Sequence, residues 1–211
     1  MSSVITAAQL HSTLLALCDT IEQEKDYLSD LDGATGDGDH GVNMAKCFRG
    51  VKAKLETSEK SDVGAVLGLV GLEVMNSVGG AMGALYGTMF INLSTKSSGK
   101  GEVGLNDLAV MFTDALAGIV SIGKAKVGDK TLVDTLTPAV VALEQAAKQK
   151  LPLTKGLTDF EAAAYRGMES TKDLLAKMGR ASRLGERSIG HIDAGAASCY
   201  LILSAFANAN R

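Results

Sequence analysis

The sequence predicts an all-α protein of about eight helices in an antiparallel up-and-down arrangement, and three observations carry that reading. Apolar residues recur at three- and four-residue steps, and no segment shows sustained two-residue alternation or a dense β-branched run, so no sheet is expected. Aromatic residues make up 4% of the chain and tryptophan is absent, which leaves a core of Leu, Val, Ile, Met and Ala suited to close helix packing. Only two prolines, Pro138 and Pro152, interrupt the chain.

With 211 residues, 46% of them hydrophobic and 21% charged, the chain has an ordinary globular profile and ample length for a core. No repeat is visible, and residues 1–211 are expected to form one domain. The net charge of -3 leaves no basic stripe for nucleic acid. Cys18, Cys47 and Cys199 are scattered and lack CxxC spacing, so they are expected as buried small hydrophobes in a reducing compartment. With neither a leader pattern nor a run of about 18 apolar residues, no membrane partner and a cytoplasmic location are expected.

The first helix is predicted over 3–29, with Leu10, Leu14, Leu17, Cys18, Ile21 and Leu28 on one face and His11 on a polar, surface face. A second opens near Gly41 and carries Met44, Cys47, Phe48 and Val51. A third runs through Val63, Val66, Leu67, Val70 and Val74 behind Ser61 or Asp62 as N-cap. Residues 77–88 read as a glycine-rich break leading into a fourth helix, and 94–104 as a polar loop. The fifth helix fits 106–122. After a basic connection, 123–131, Thr131 or Asp129 caps a sixth through Leu136, Val140 and Leu143, with Pro138 at an early position or a kink. Residues 150–156 lead to a seventh helix ending near Met178. A polar, glycine-rich segment at 179–195 precedes a last helix, 196–209.

Chemistry concentrates in 31–43, Leu-Asp-Gly-Ala-Thr-Gly-Asp-Gly-Asp-His-Gly-Val-Asn. A single Asp-Gly pair reads as a turn. Three aspartates, Asp32, Asp37 and Asp39, followed by His40 and Asn43, read as a metal–phosphate loop, since hard carboxylate oxygens suit Mg²⁺. An EF-hand counted from Asp37 fails, with Gly41, Val42 and Phe48 standing where a ligand, glycine and glutamate belong. Nor is 123–131 a Walker A loop, because Asp129 stands where lysine is needed; Lys124 and Lys126 there suit either phosphate charge or a solvated loop. The polar, glycine-rich segments follow helices one, three, five and seven. In an up-and-down arrangement alternate connections share one end, so all four are expected at one rim.

These residues resemble a known family, the ADP-binding L subunit of bacterial dihydroxyacetone (glycerone) kinase of the phosphotransferase-system-dependent type. The resemblance covers essentially the whole chain. It is carried by Leu31-Asp32, Gly36-Asp37-Gly38-Asp39-His40-Gly41-Val42-Asn43-Met44, Ser77-Val78-Gly79-Gly80-Ala81, Gly83 and Gly87-Thr88. Gly128-Asp129-Lys130-Thr131 with Asp134, Gly179-Arg180-Ala181-Ser182, and 184–191 continue it. It implies an eight-helix antiparallel barrel with ADP, transiently ATP, at one rim, and two Mg²⁺ held by Asp32, Asp37 and Asp39. It implies nucleotide contacts from His40, Gly41, Val42 and Asn43, from Ala81 and Met82, from Gly123 and Leu132, and from Arg180, Asp193, Ala194 and Gly195.

In such relatives ADP is rephosphorylated in place by a phosphohistidine M subunit, and the phosphate passes to dihydroxyacetone on a separate K subunit. The sequence departs from them at Met82, Ala84, Ala194 and Arg183, so backbone contacts rather than a catalytic side chain are expected at 82. His40 is expected as a hydrogen-bond donor rather than a phosphorylated intermediate, and His191 either pins the last loop or is functional. Two other readings stay open: the nucleotide module of an ATP-exchanging ketose or tetrulose kinase, which the lack of a fused K-like domain disfavours, and a non-catalytic subunit reporting its nucleotide state to a transcriptional regulator.

Overall fold

A computed structural model describes residues 3–211. Among them are nine α-helices: α1 (Ala7–Gln23), α2 (Lys25–Thr35), α3 (His40–Leu55), α4 (Val63–Ser77), α5 (Gly80–Ser97), α6 (Leu105–Gly123), α7 (Leu132–Lys148), α8 (Leu153–Ser170) and α9 (Ala194–Ala209). The first two are one amphipathic run interrupted at Glu24, so the barrel has eight staves. Each stave packs on the next, and α9 closes the ring against α1. Leu10, Leu14, Leu17 and Ile21 of α1 point inward together with Phe48, Phe90, Phe112 and Phe206 from across the barrel. Phe112 stacks on Phe160 and Phe206 with ring centroids 5.0 and 5.8 Å away. Helix α6 is long and apolar enough to cross a membrane by length and composition, but Leu108, Met111, Phe112, Ala115 and Ile119 face this core. Cys18, Cys47 and Cys199 are buried free thiols, as read from the sequence.

The structure corrects several expectations. A two-stranded antiparallel ladder joins β1 (Val4–Thr6) to β2 (Glu102–Gly104), pairing Ile5 with Val103. Three residues per strand are too few to show as alternation. The first helix extends to Thr35, so the aspartate loop proper is only 36–39. The break after α4 shrinks to Val78 and Gly79, because Gly83 and Gly87 are helical packing positions. A Cβ on Gly83 would lie 1.8 Å from the Val78 carbonyl oxygen, and one on Gly87 2.2 Å from Met75 Cγ. Helix α5 runs on to Ser97, α8 starts at Leu153 and ends at Ser170, and α9 starts at Ala194, two residues early. Pro138 lies within α7, where the Asp134 carbonyl sits against Gly167 of α8. Thr131, not Asp129, caps α7, accepting from the Val133 N–H at 3.2 Å. His11 is 1% exposed rather than on the surface; its Nε2 lies 2.7 Å from the carbonyl oxygen of Leu55 at the end of α3.

The ladder lies at the end of the barrel where α1, α4 and α6 begin. There the Ala7 and Val63 amides donate to the neighbouring carbonyls of Gly101 and Lys100, both at 2.8 Å. By the alternation of the staves, α3, α5, α7 and α9 begin at the opposite rim.

Candidate functional site

Four residues turn the chain from α2 into α3, and glycine makes that possible. Gly38 has φ +76°, and a Cβ on Gly36 would sit 2.4 Å from Asp32 Oδ1. The turn folds back over the last helical turn of α2, and the His40 N–H donates to Asp32 Oδ2 at 3.3 Å. One carboxylate oxygen from each of Asp32, Asp37 and Asp39 is thereby brought within 4.8 Å of the others. Three like charges this close repel unless a cation offsets them. Arg180 supplies one positive charge, its guanidinium donating to Asp37 and standing 3.8 Å from Asp39. Oxygen-only donors, partly open to solvent, have the chemistry for a hard divalent ion such as Mg²⁺.

Beside this cluster opens a cleft of about 600 Å³, walled by the start of α5, the end of α6, the starts of α7 and α9, and the segment holding Arg180. Ten of the fifteen residues singled out in the sequence line it: Asp32, His40, Ala81, Met82, Gly123, Leu132, Arg180, Asp193, Ala194 and Gly195. Asp37 and Asp39 stand at its edge through Arg180. Gly41, Val42 and Asn43 are placed differently. A Cβ on Gly41 would lie 1.9 Å from the Lys25 carbonyl oxygen, so this glycine lets α3 press on α2. Val42 is 51% exposed, and the Asn43 N–H is spent on the Asp39 carbonyl. What this turn of helix offers is backbone: among the described residues the N–H groups of Gly41 and Val42 have no acceptor. With the starts of α5, α7 and α9, it makes four helix N-termini around one cleft, an arrangement suited to a polyanion.

Two side chains here, Ser198 and Tyr86, were not singled out from the sequence. Ser198 Oγ lies 2.8 Å from His40 Nε2 and 2.7 Å from the hydroxyl of Tyr86, and Tyr86 donates to the Gly195 carbonyl at 3.1 Å. This network fixes the imidazole against α9. Burial holds the His40 pKa below the usual histidine value, against the pull of Asp32 and Asp39. Lys130, 2% exposed, also lines the cleft. No spacing rule marks Tyr86 or Ser198, which meet across 112 residues of sequence. Asp193 is the N-cap of α9, accepting the Ala196 N–H at 2.8 Å, and burial pushes its carboxyl up to about 6. His191 is exposed, and its carbonyl takes a hydrogen bond from Lys130. Lys124 and Lys126 are exposed, Lys124 in the left-handed conformation that ends α6.

A DAK2 domain matches residues 34–208. The chain belongs to the DAK2 domain family. Among its DAK2 relatives it is 38% identical to the ADP-binding subunit DhaL of the PEP-dependent dihydroxyacetone kinase of Escherichia coli, over 96% of this chain and 97% of that one. It is 39% identical to the corresponding subunit of a PTS-dependent dihydroxyacetone kinase of Lactococcus lactis, over 86% of each. It is 31% identical to the D-erythrulose kinase of Mycolicibacterium smegmatis, of which it spans 32%. Among solved structures, the dihydroxyacetone kinase of C. freundii superposes with a TM-score of 0.73 at 24% identity, over 94% of this chain and 34% of that chain. The same kinase is known in complex with AMP-PNP and Mg²⁺, TM-score 0.71. The present chain thus spans about a third of that kinase, and the likeness establishes the DAK2 fold.

Proposed function

We propose that this chain is the ADP-binding subunit of a phosphotransferase-coupled dihydroxyacetone kinase, residues 1–211 forming one nucleotide-binding domain. The observation that carries this reading is the meeting of Asp32, Asp37 and Asp39 at the edge of a cleft ringed by four helix N-termini. Near full-length similarity to DhaL subunits supports it. The three aspartates would hold two Mg²⁺. When bound, such ions neutralise charge between phosphate oxygens, the main demand of phosphoryl transfer.

The chain's own groups divide the remaining work. The free N–H groups of Gly41 and Val42 hold phosphate oxygens at the positive end of α3. Arg180, shared between Asp37 and the cleft, adds a planar pair of donors suited to a phosphate. His40, with Nε2 committed to Ser198, lines the cleft beside Asp32. Ala81, Met82, Gly123 and Leu132 shape the wall along the nucleotide, together with Asp193, Ala194 and Gly195, the last of these lying beside Leu132. The acceptor is placed on a separate K subunit, and the phosphoryl donor is a phosphohistidine M subunit, both docking at this rim.

The deciding experiment measures nucleotide released on denaturing the purified protein, with and without prior EDTA. Near-stoichiometric ADP that EDTA removes is the expected result. An empty protein that exchanges ATP weakly would favour the nucleotide module of a ketose kinase, to which the match with D-erythrulose kinase also points. No nucleotide under any metal condition would overturn both.

A further inference from the structure

We propose that Lys130 is a positioning residue whose buried ammonium clasps the neck of the 171–192 strap and so sets where Arg180 stands above the three aspartates. The strap holds itself poorly. Of its residues only Thr171, Ala176 and Ser188 are buried, and segments with so few buried contacts open locally at low cost. Met178 and Ile192 lean on the core as partly buried side chains, and the rest of its placement depends on polar ties. Lys130 Nζ donates both to the carbonyl of Thr171, where the strap begins, and to that of His191, where it ends. The Gly190 N–H closes the same neck on the Lys172 carbonyl at 2.7 Å, and the Asp193 N–H donates to Thr171 Oγ1 at 3.1 Å.

The adjoining residues add a second tie further along. Lys177 donates its N–H to the Asp129 carbonyl at 3.2 Å and its Nζ to the Gly128 carbonyl at 2.8 Å, and Nζ lies 3.4 Å from the Asp129 carboxylate. Arg180 follows three residues later, after Gly179 at φ +64°. Thus the 128–130 segment fixes the strap at its neck and just before its functional tip. Lys130 is also held in the left-handed conformation, φ 61°, where glycine or asparagine would sit with less strain, and it is almost wholly desolvated. Strain and burial at one cation, with two backbone carbonyls as its acceptors, fit a local task rather than a solvated loop.

This inference rests on the proposed function only for its nucleotide arm, so the test has two arms, both on the full chain. Lys130→Met keeps the aliphatic stem and removes the ammonium. Hydrogen exchange without nucleotide is expected to quicken about tenfold or more across 172–190 while α3–α7 keep their protection. Titration with Mg-ADP is expected to show affinity about tenfold weaker in the otherwise native chain, but changed less than about twofold in an Arg180→Ala background. Unchanged strap exchange, or an equal loss of affinity in both backgrounds, would overturn the proposal. Should Lys130→Met fail to fold, Lys177→Met, at an exposed position, carries the same cycle with an expected loss of about threefold that likewise depends on Arg180. A native chain that binds no Mg-ADP would sink the proposed function, leaving the exchange arm to decide the clasp.

Discussion

Asp193 serves two purposes with one carboxyl group, capping α9 and lining the cleft. Its pKa of about 6 stands above the usual value near 3.9 because burial disfavours the charged form. Between about pH 4 and 6 the folded chain holds a proton that the unfolded chain has released, so this group's stabilisation is full below that window and lost as pH rises through it. Asp193→Asn keeps the capping oxygen and removes the titration; urea melts of the nucleotide-free protein are expected to show a flatter stability profile from pH 4 to 6. An unchanged slope would show that the carboxyl titrates normally. At the metal cluster, Asp37→Ala or Asp39→Ala is expected to abolish EDTA-sensitive ADP retention, and undiminished ADP in the purified variants would refute the assignment. The aspartates were legible because their chemistry lies within eight residues of sequence. His11 was misread because a polar side chain on a helix looks solvated until the Leu55 carbonyl, 44 residues away, is placed beside it. Tyr86 and Ser198 stayed silent for the same reason, since they meet across 112 residues, and Lys130 was visible only as one of a basic loop's lysines until the Thr171 carbonyl is placed beside it.

At the scale of elements, periodicity located the helices well, since one apolar stripe per helix is all the barrel asks of them. Glycine misled about their ends, because it was read as a breaker where it is a spacer. Gly83 and Gly87 let α5 approach the end of α4, and Gly41 does the same for α3 on α2. Gly41→Ala therefore tests whether that approach also positions the metal loop. A Cβ would sit 1.9 Å from the Lys25 carbonyl, so the helices must part, at a cost of about 1–3 kcal/mol typical of overpacking. The expected result is a lower urea midpoint together with weaker Mg-ADP affinity, because the shifted helix bears His40 and the free amides. A stability loss with unaltered affinity would separate packing from site geometry. Thr131→Ala is the control at α7: losing that N-cap is expected to cost about 1 kcal/mol, read as a lower thermal midpoint.

Over the whole molecule, the ordering of the staves explains why the chemistry sits at one end. Connections alternate between rims, so α3, α5, α7 and α9 all begin at the same one, where their unpaired N-terminal N–H groups stand between the ends of α2, α4, α6 and α8. Asp134 and Asp193 offset part of this at α7 and α9, whereas α3 and α5 begin without a side-chain cap. A bound diphosphate with its metal would complete the pattern, tying staves that are remote in sequence and stabilising the closed barrel by linkage. At a free ligand concentration 100 times the dissociation constant the gain is about 2.7 kcal/mol, which for a chain of this size is a rise of about 5–10 °C in the thermal midpoint. Calorimetry with ADP is expected to show that rise with Mg²⁺ and to lose it with EDTA. A rise of equal size in EDTA would mean that the helix ends hold the anion by themselves, and that the three aspartates serve some other purpose than metal binding.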